Sequence, residues 1–129
     1  MMHHVAAVTL LAILLYAATI LLVGWARWRY GIKAPATTGH PDFDRAYRVQ
    51  VNTLEQMPIF LPSLWLAAFY FSDQIAAIIG LAFIAFRIFY AVLYLRAAGS
   101  RGYAYAPGAL CMLALWFLAV WGLLRSVAL

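Results

Sequence analysis

RVQVNTLEQMPIFLPSLWLAAFYF, residues 48–71, decides how this chain folds. Its apolar part, residues 57–71, covers only about 22 Å as a helix at about 1.5 Å per residue, short of a hydrocarbon core of about 30 Å. To cross a bilayer the helix has to begin near Arg48, which draws Gln50, Asn52 and Glu55 into the membrane region. Polar and charged side chains are tolerated there only when they face the interior of a helix bundle or a water-filled cavity. The segment therefore reads as one helix of a membrane bundle with a polar inner stripe.

Outward from it, the chain reads the same way. Residues 5–26 carry no charge and reach about 33 Å, enough to span. The run lacks a basic leader and ends in Trp25, Arg27, Trp28 and Arg29 where a small-residue cleavage site would stand, so it reads as a retained membrane helix. A third span, residues 75–95, is broken only by Arg87, and a fourth runs over about 107–124. A polar connection, residues 27–47, contains Gly31, Pro35, Gly39 and Pro41, and short turns are expected near Ser72 and Asp73 and over 99–105. The expected fold is all-α: a single domain, residues 1–129, forming an integral-membrane four-helix up-down bundle with helices at about 5–26, 48–71, 75–96 and 106–126.

Composition excludes several classes. The chain is 67% hydrophobic and 10% charged, against about 25% charged in a soluble domain. Cys111 is the lone cysteine, and no Cys or His cluster has metal-site spacing, so neither a disulfide nor a metal is expected. His3 and His4 are adjacent and cannot face one another on a helix; they read as a disordered end. The +5 net charge forms no continuous basic face, which argues for anionic lipid or a small anionic ligand and against nucleic acid. No Ser, His and Asp grouping suggests a hydrolase. Gly99 to Gly102 lacks phosphate-loop context and reads as a turn, while Tyr103, Tyr105, Trp116 and Trp121 read as interfacial or packing aromatics. Seven of the nine basic residues, Arg27, Arg29, Lys33, Arg45, Arg48, Arg96 and Arg101, flank the connections after helices one and three. The positive-inside rule puts those connections in the cytoplasm and both termini opposite.

Two charges lie at similar depth. Glu55 is about 10 Å beyond Arg48 along helix two, and Arg87 about 13 Å from Arg96 along helix three. An unpaired charge there costs at least about 2.5 kcal/mol, so the two are expected either to pair or to share a polar ligand. Arg48, Asn52 and Glu55 fall on one helical stripe, and Arg87, Tyr90 and Tyr94 on another. Their combined hydrogen-bonding capacity exceeds what one ion pair satisfies. A small, polar, mostly anionic zwitterion fits, with arginine forks for carboxylates and Glu55 for an ammonium group.

The segment Arg48, Asn52, Glu55, Pro58, together with Thr37 to Gly39, Pro41 to Arg48, Arg87, Tyr90, Tyr94 and Arg101, resembles the MAPEG family, the membrane-associated proteins in eicosanoid and glutathione metabolism, in its leukotriene C synthase and microsomal glutathione transferase branch. The resemblance implies a homotrimer with glutathione as co-substrate, bound between subunits near the cytoplasmic side. It implies glutathione contacts from Arg27, Arg48, Gln50, Asn52, Glu55, Arg87, Tyr90 and Tyr94, and a catalytic Arg101 that holds the glutathione thiolate. The implied activity is conjugation of glutathione to lipophilic electrophiles entering from the lipid, with peroxide reduction as a related reaction. Trp28 stands where the leukotriene branch has a second arginine, and Gln56 where it often has tyrosine, which argues against a leukotriene-specific role. A non-catalytic lipid-presenting scaffold of the same family is the competing reading.

Overall fold

The structure, a computed structural model, describes residues 1–96 and 101–129, residues 101–103 by backbone alone. Four helices make up the described chain: α1 (His3–Tyr30), α2 (Pro41–Tyr70), α3 (Asp73–Leu95) and α4 (Arg101–Ala128). Among the described residues, three helices are long and apolar enough to cross a membrane: α1, α3 and the Ala104–Ala128 part of α4. The fourth, α2, has 30 residues, ample in length at about 45 Å, but its first half is polar.

That first half corrects the sequence reading. The connection expected over residues 27–47 shrinks to residues 31–40, because α2 starts at Pro41. The local reasons are ordinary. Pro41 occupies the first helical turn, where its missing N–H costs nothing, and Asp42 and Asp44 complement the positive end of the helix dipole. His40 caps the end, its Nδ1 accepting from the Asp42 N–H at 3.1 Å. Gly31 ends α1 with a left-handed φ of 69°, and the Ile32 N–H returns to the Arg27 carbonyl at 3.0 Å.

His3 and His4 are also corrected, since both belong to α1. Asp73 receives the backbone N–H of His4 (3.2 Å) and of Val5 (3.0 Å), and its carboxylate meets the His4 ring at 2.6 Å. The start of α1 is thus capped by the start of α3.

This contact fixes the topology. The starts of α1 and α3 lie at one end, joined there by the ends of α2 and α4, where Gly122 approaches the Tyr70 backbone. Helices α2 and α3 are central; α1 and α4 flank them and, among the described residues, do not pack on one another. An extended apolar core, with Phe60 and Phe83 stacked at 4.0 Å between centroids, fills that half of the bundle. A smaller one, built on Val23, Ala26, Phe43 and Ala46, seals the opposite end. Between Val49 and Met57 on α2, at Thr53 and Gln56, and beyond Ile84 on α3, at Arg87 and Tyr90, the buried positions carry polar groups.

Candidate functional site

The polar layer is built where α2 and α3 cross this gap. On α2, the positions that face inward after Ala46 are Val49, Thr53 and Gln56. Thr53, 1% exposed, donates its hydroxyl to the Val49 carbonyl at 2.7 Å. This fixes the hydroxyl and leaves its lone pairs for α3. Arg87 takes them: Nε at 3.2 Å and Nη2 at 3.1 Å converge on the same oxygen. The guanidinium is 3% exposed and lies 4.4 Å from the centroid of the Tyr90 ring. Tyr90, buried in turn, accepts at its hydroxyl from Asn52 Nδ2 at 2.9 Å. Tyr94 and Tyr105 pack on the Tyr90 ring with centroids at 5.6 and 6.0 Å.

Of the two alternatives, a pair or a shared ligand, a direct Glu55–Arg87 pair is not formed within the chain among the described residues. Glu55 points out of the bundle, two positions past Thr53, with no ionic partner among the described residues. The physical reason is helical phase: Thr53, not Glu55, falls on the inward face shared with Phe60 and Ala46. Thr53 is the residue sequence reasoning missed, although its spacing of four from Val49 carried the signal.

Toward the sealed end, Thr37, Thr38, Asp44, Arg45, Tyr47, Arg48 and Tyr94 line a polar cleft of about 390 Å³. Arg48 is exposed on its wall. Asp44 is engaged from the connection, by the Thr38 hydroxyl (3.0 Å) and the Gly39 N–H (3.1 Å). Arg45 pairs with Asp42, and its Nε is buried without a hydrogen-bond partner among the described residues. Arg27 stands apart from the cleft lining: it donates to the Ala36 carbonyl at 2.7 Å and covers the Phe43 ring at 5.0 Å, so it pins the 31–40 connection. Gln50 is half-buried. The structure thus gathers Asn52, Arg87, Tyr90 and Tyr94, sets Arg48 beside Tyr94, and leaves Glu55 and Arg27 elsewhere. The Arg101 side chain lies outside the described residues, as do residues 99 and 100 of the turn expected over 99–105; the rest of that stretch is helical, since α4 begins at Arg101.

Chemically, the arrangement offers fixed cations and phenols in a setting of low polarity, where charge-assisted hydrogen bonds to an anion are strongest. Such a polar layer inside a bundle with three helices long and apolar enough to cross a membrane marks a class, membrane-embedded helical proteins. The chain matches the MAPEG family over residues 5–121 and belongs to it. It is 50% identical over 105 residues to an uncharacterised protein of Synechocystis, covering 81% of this chain and 77% of that one. It is 43% identical over 113 residues to leukotriene C4 synthase of Cavia porcellus, covering 88% and 73% respectively. Against microsomal glutathione S-transferase 2 of Homo sapiens the identity is 39% over 112 residues, covering 85% and 76%.

Proposed function

We propose that this protein is a membrane-bound glutathione transferase that joins the glutathione thiolate to lipophilic electrophiles. The observation that carries the reading is the buried Arg87, gripped by Thr53 beneath Tyr90 and next to Asn52, in a family whose relatives include a glutathione transferase. A bare structural bundle gains little from burying a cation without a carboxylate, since desolvation costs several kcal/mol. A carboxylate-bearing tripeptide supplies the missing negative charge.

Glu55 supports a homotrimer. A carboxylate on the outward face of a membrane helix does not face lipid. A second copy of the chain covers it and completes the site, with Glu55 and Arg48 meeting the ammonium and carboxylate ends of glutathione. Gln50 and Arg27 join the site on this reading, Arg27 by exchanging its bond to the Ala36 carbonyl for one to the ligand. One turn further along α2, Ile59 joins Ala109, Met112, Leu113 and Trp116 in an apolar groove of about 430 Å³, suited to the lipophilic partner. The connections after α1 and α3, rich in arginine, face the cytoplasm, where the water-soluble tripeptide enters.

A thiol of pKa about 8.5 is mostly protonated at neutral pH, and the thiolate is the nucleophile. Arg101, permanently cationic, favours the charged form. Loss of the S–H proton to water, attack of sulfur on the electrophilic carbon, and departure of the leaving group or protonation of the adduct complete the reaction. No metal is required for any step. The test is conjugation of glutathione to a generic aromatic electrophile by the purified protein. Arg101→Ala is expected to lower the rate about 10- to 100-fold, the equivalent of one to two pKa units, with glutathione affinity retained. An inactive native protein indicates the lipid-presenting scaffold instead.

A further inference from the structure

We infer that Thr53 is a positioning residue for the glutathione site: its hydroxyl orients Arg87, and through Arg87 the Tyr90 phenol, toward the ligand. The inference rests on the glutathione reading above and assigns a role to a side chain that makes no ligand contact itself.

The geometry runs in one direction across two helices. The Val49 carbonyl accepts the Thr53 proton at 2.7 Å, so the Thr53 oxygen can only accept from elsewhere. Two donors of Arg87, at 3.2 and 3.1 Å, converge on it and fix the plane of the guanidinium. That plane is what holds the cation 4.4 Å from the Tyr90 ring centroid. The cation against the ring face and the Asn52 N–H on the phenol oxygen at 2.9 Å hold the Tyr90 ring in place from two sides. Because the phenol oxygen already accepts from Asn52, its proton is left to point at an incoming anion.

Asn52, Thr53 and Tyr90 act as one unit with Arg87, and such units respond non-additively to substitution. Valine replaces threonine at nearly the same shape and removes only the acceptor. A purely packing role for Thr53 would be served equally well by valine and would combine independently with changes at Tyr90.

The experiment compares the full-length protein in detergent with Thr53→Val, Thr53→Ser, Tyr90→Phe and the Thr53→Val/Tyr90→Phe double variant, reading glutathione affinity by titration calorimetry and the melting temperature without glutathione. Thr53→Val is expected to weaken glutathione binding about tenfold, Thr53→Ser to bring it back to within about threefold of the native value, and the double variant to be no weaker than Tyr90→Phe alone. Native affinity in Thr53→Val, or losses that multiply in the double variant, overturn the inference while leaving the glutathione reading intact. A native protein that binds no glutathione overturns both. If Thr53→Val does not assemble, Thr53→Ala takes its place in the same cycle, with the same criteria.

Discussion

The guanidinium of Arg87 on α3 and the hydroxyl of Thr53 on α2 meet through two N–H donors on one oxygen, at 3.2 and 3.1 Å, with both side chains almost wholly buried. A full positive charge is thereby held in the bundle, among the described residues, against one neutral oxygen and an aromatic face. Two charge-assisted bonds recover only part of the desolvation cost of such a cation. On the proposed function, Arg87 serves the ligand rather than the fold.

Arg87→Met separates these roles. Methionine is flexible, apolar and of comparable reach, and replacing buried charge by packed apolar groups is often neutral or stabilising. Thermal unfolding in detergent is expected to stay within about 1 kcal/mol of the native protein. The glutathione concentration needed for half-maximal conjugation is expected to rise at least tenfold, as for the loss of a hydrogen-bonded charge. A destabilised protein with unchanged glutathione dependence contradicts this assignment.

Helix packing makes a graded prediction at three glycines. A Cβ on Gly122 would lie 2.4 Å from the Tyr70 carbonyl oxygen, a backbone atom that cannot swing away. On Gly80 it would meet Leu64 Cδ1 and Val8 Cγ1, both at 2.9 Å, side-chain ends that can shift. On Gly108 the nearest atoms, of Phe83, are 3.9 Å away. Gly122→Ala is expected to cost about 1–3 kcal/mol or more, Gly80→Ala less, and Gly108→Ala nothing or a slight gain from helix propensity. Melting temperatures of the three variants check the order.

Much of this architecture was legible in the chain. The apolar runs marked α1, α3 and α4, and the shortfall of residues 57–71 forced the polar half of α2 into the bundle. Depth matching left a direct Glu55–Arg87 pair and a shared ligand both open, because depth along a helix fixes height and not azimuth. Seven residues from Arg48 to Glu55 are nearly two full turns, which places Glu55 on the outward stripe with Arg48, whereas Thr53 continues the buried series from Ala46 and Val49. The start of α2 was read as loop because proline and glycine flank it. Its stability comes from the His40 cap and the acidic first turn, which a composition count does not weigh. The contact between His4 and Asp73 spans 69 positions, and no local pattern encodes it.

That contact yields its own prediction. Asp73→Ala removes the acceptor for the first N–H groups of α1, a capping loss. It lies at the end of the bundle opposite the polar cleft. A lower melting temperature with unchanged glutathione dependence is the expected result, and altered glutathione affinity would show that the two ends are coupled.

Glu55 tests assembly. Native mass spectrometry from detergent is expected to find three chains per particle. Glu55→Leu, which removes the outward carboxylate, is expected to raise the glutathione requirement at least tenfold if the carboxylate meets the ammonium group. Monomers of the native protein would contradict the shared site.

The most direct measurement is the melting temperature of the purified native protein as glutathione is raised through the millimolar range, with an equal concentration of glycine as control. Binding confined to the folded state stabilises it by about 2.7 kcal/mol at a hundredfold excess over Kd, so a rise that continues with the logarithm of glutathione concentration is predicted. A melting temperature that does not move with glutathione contradicts the central claim that the Arg87, Tyr90 and Asn52 layer holds this tripeptide.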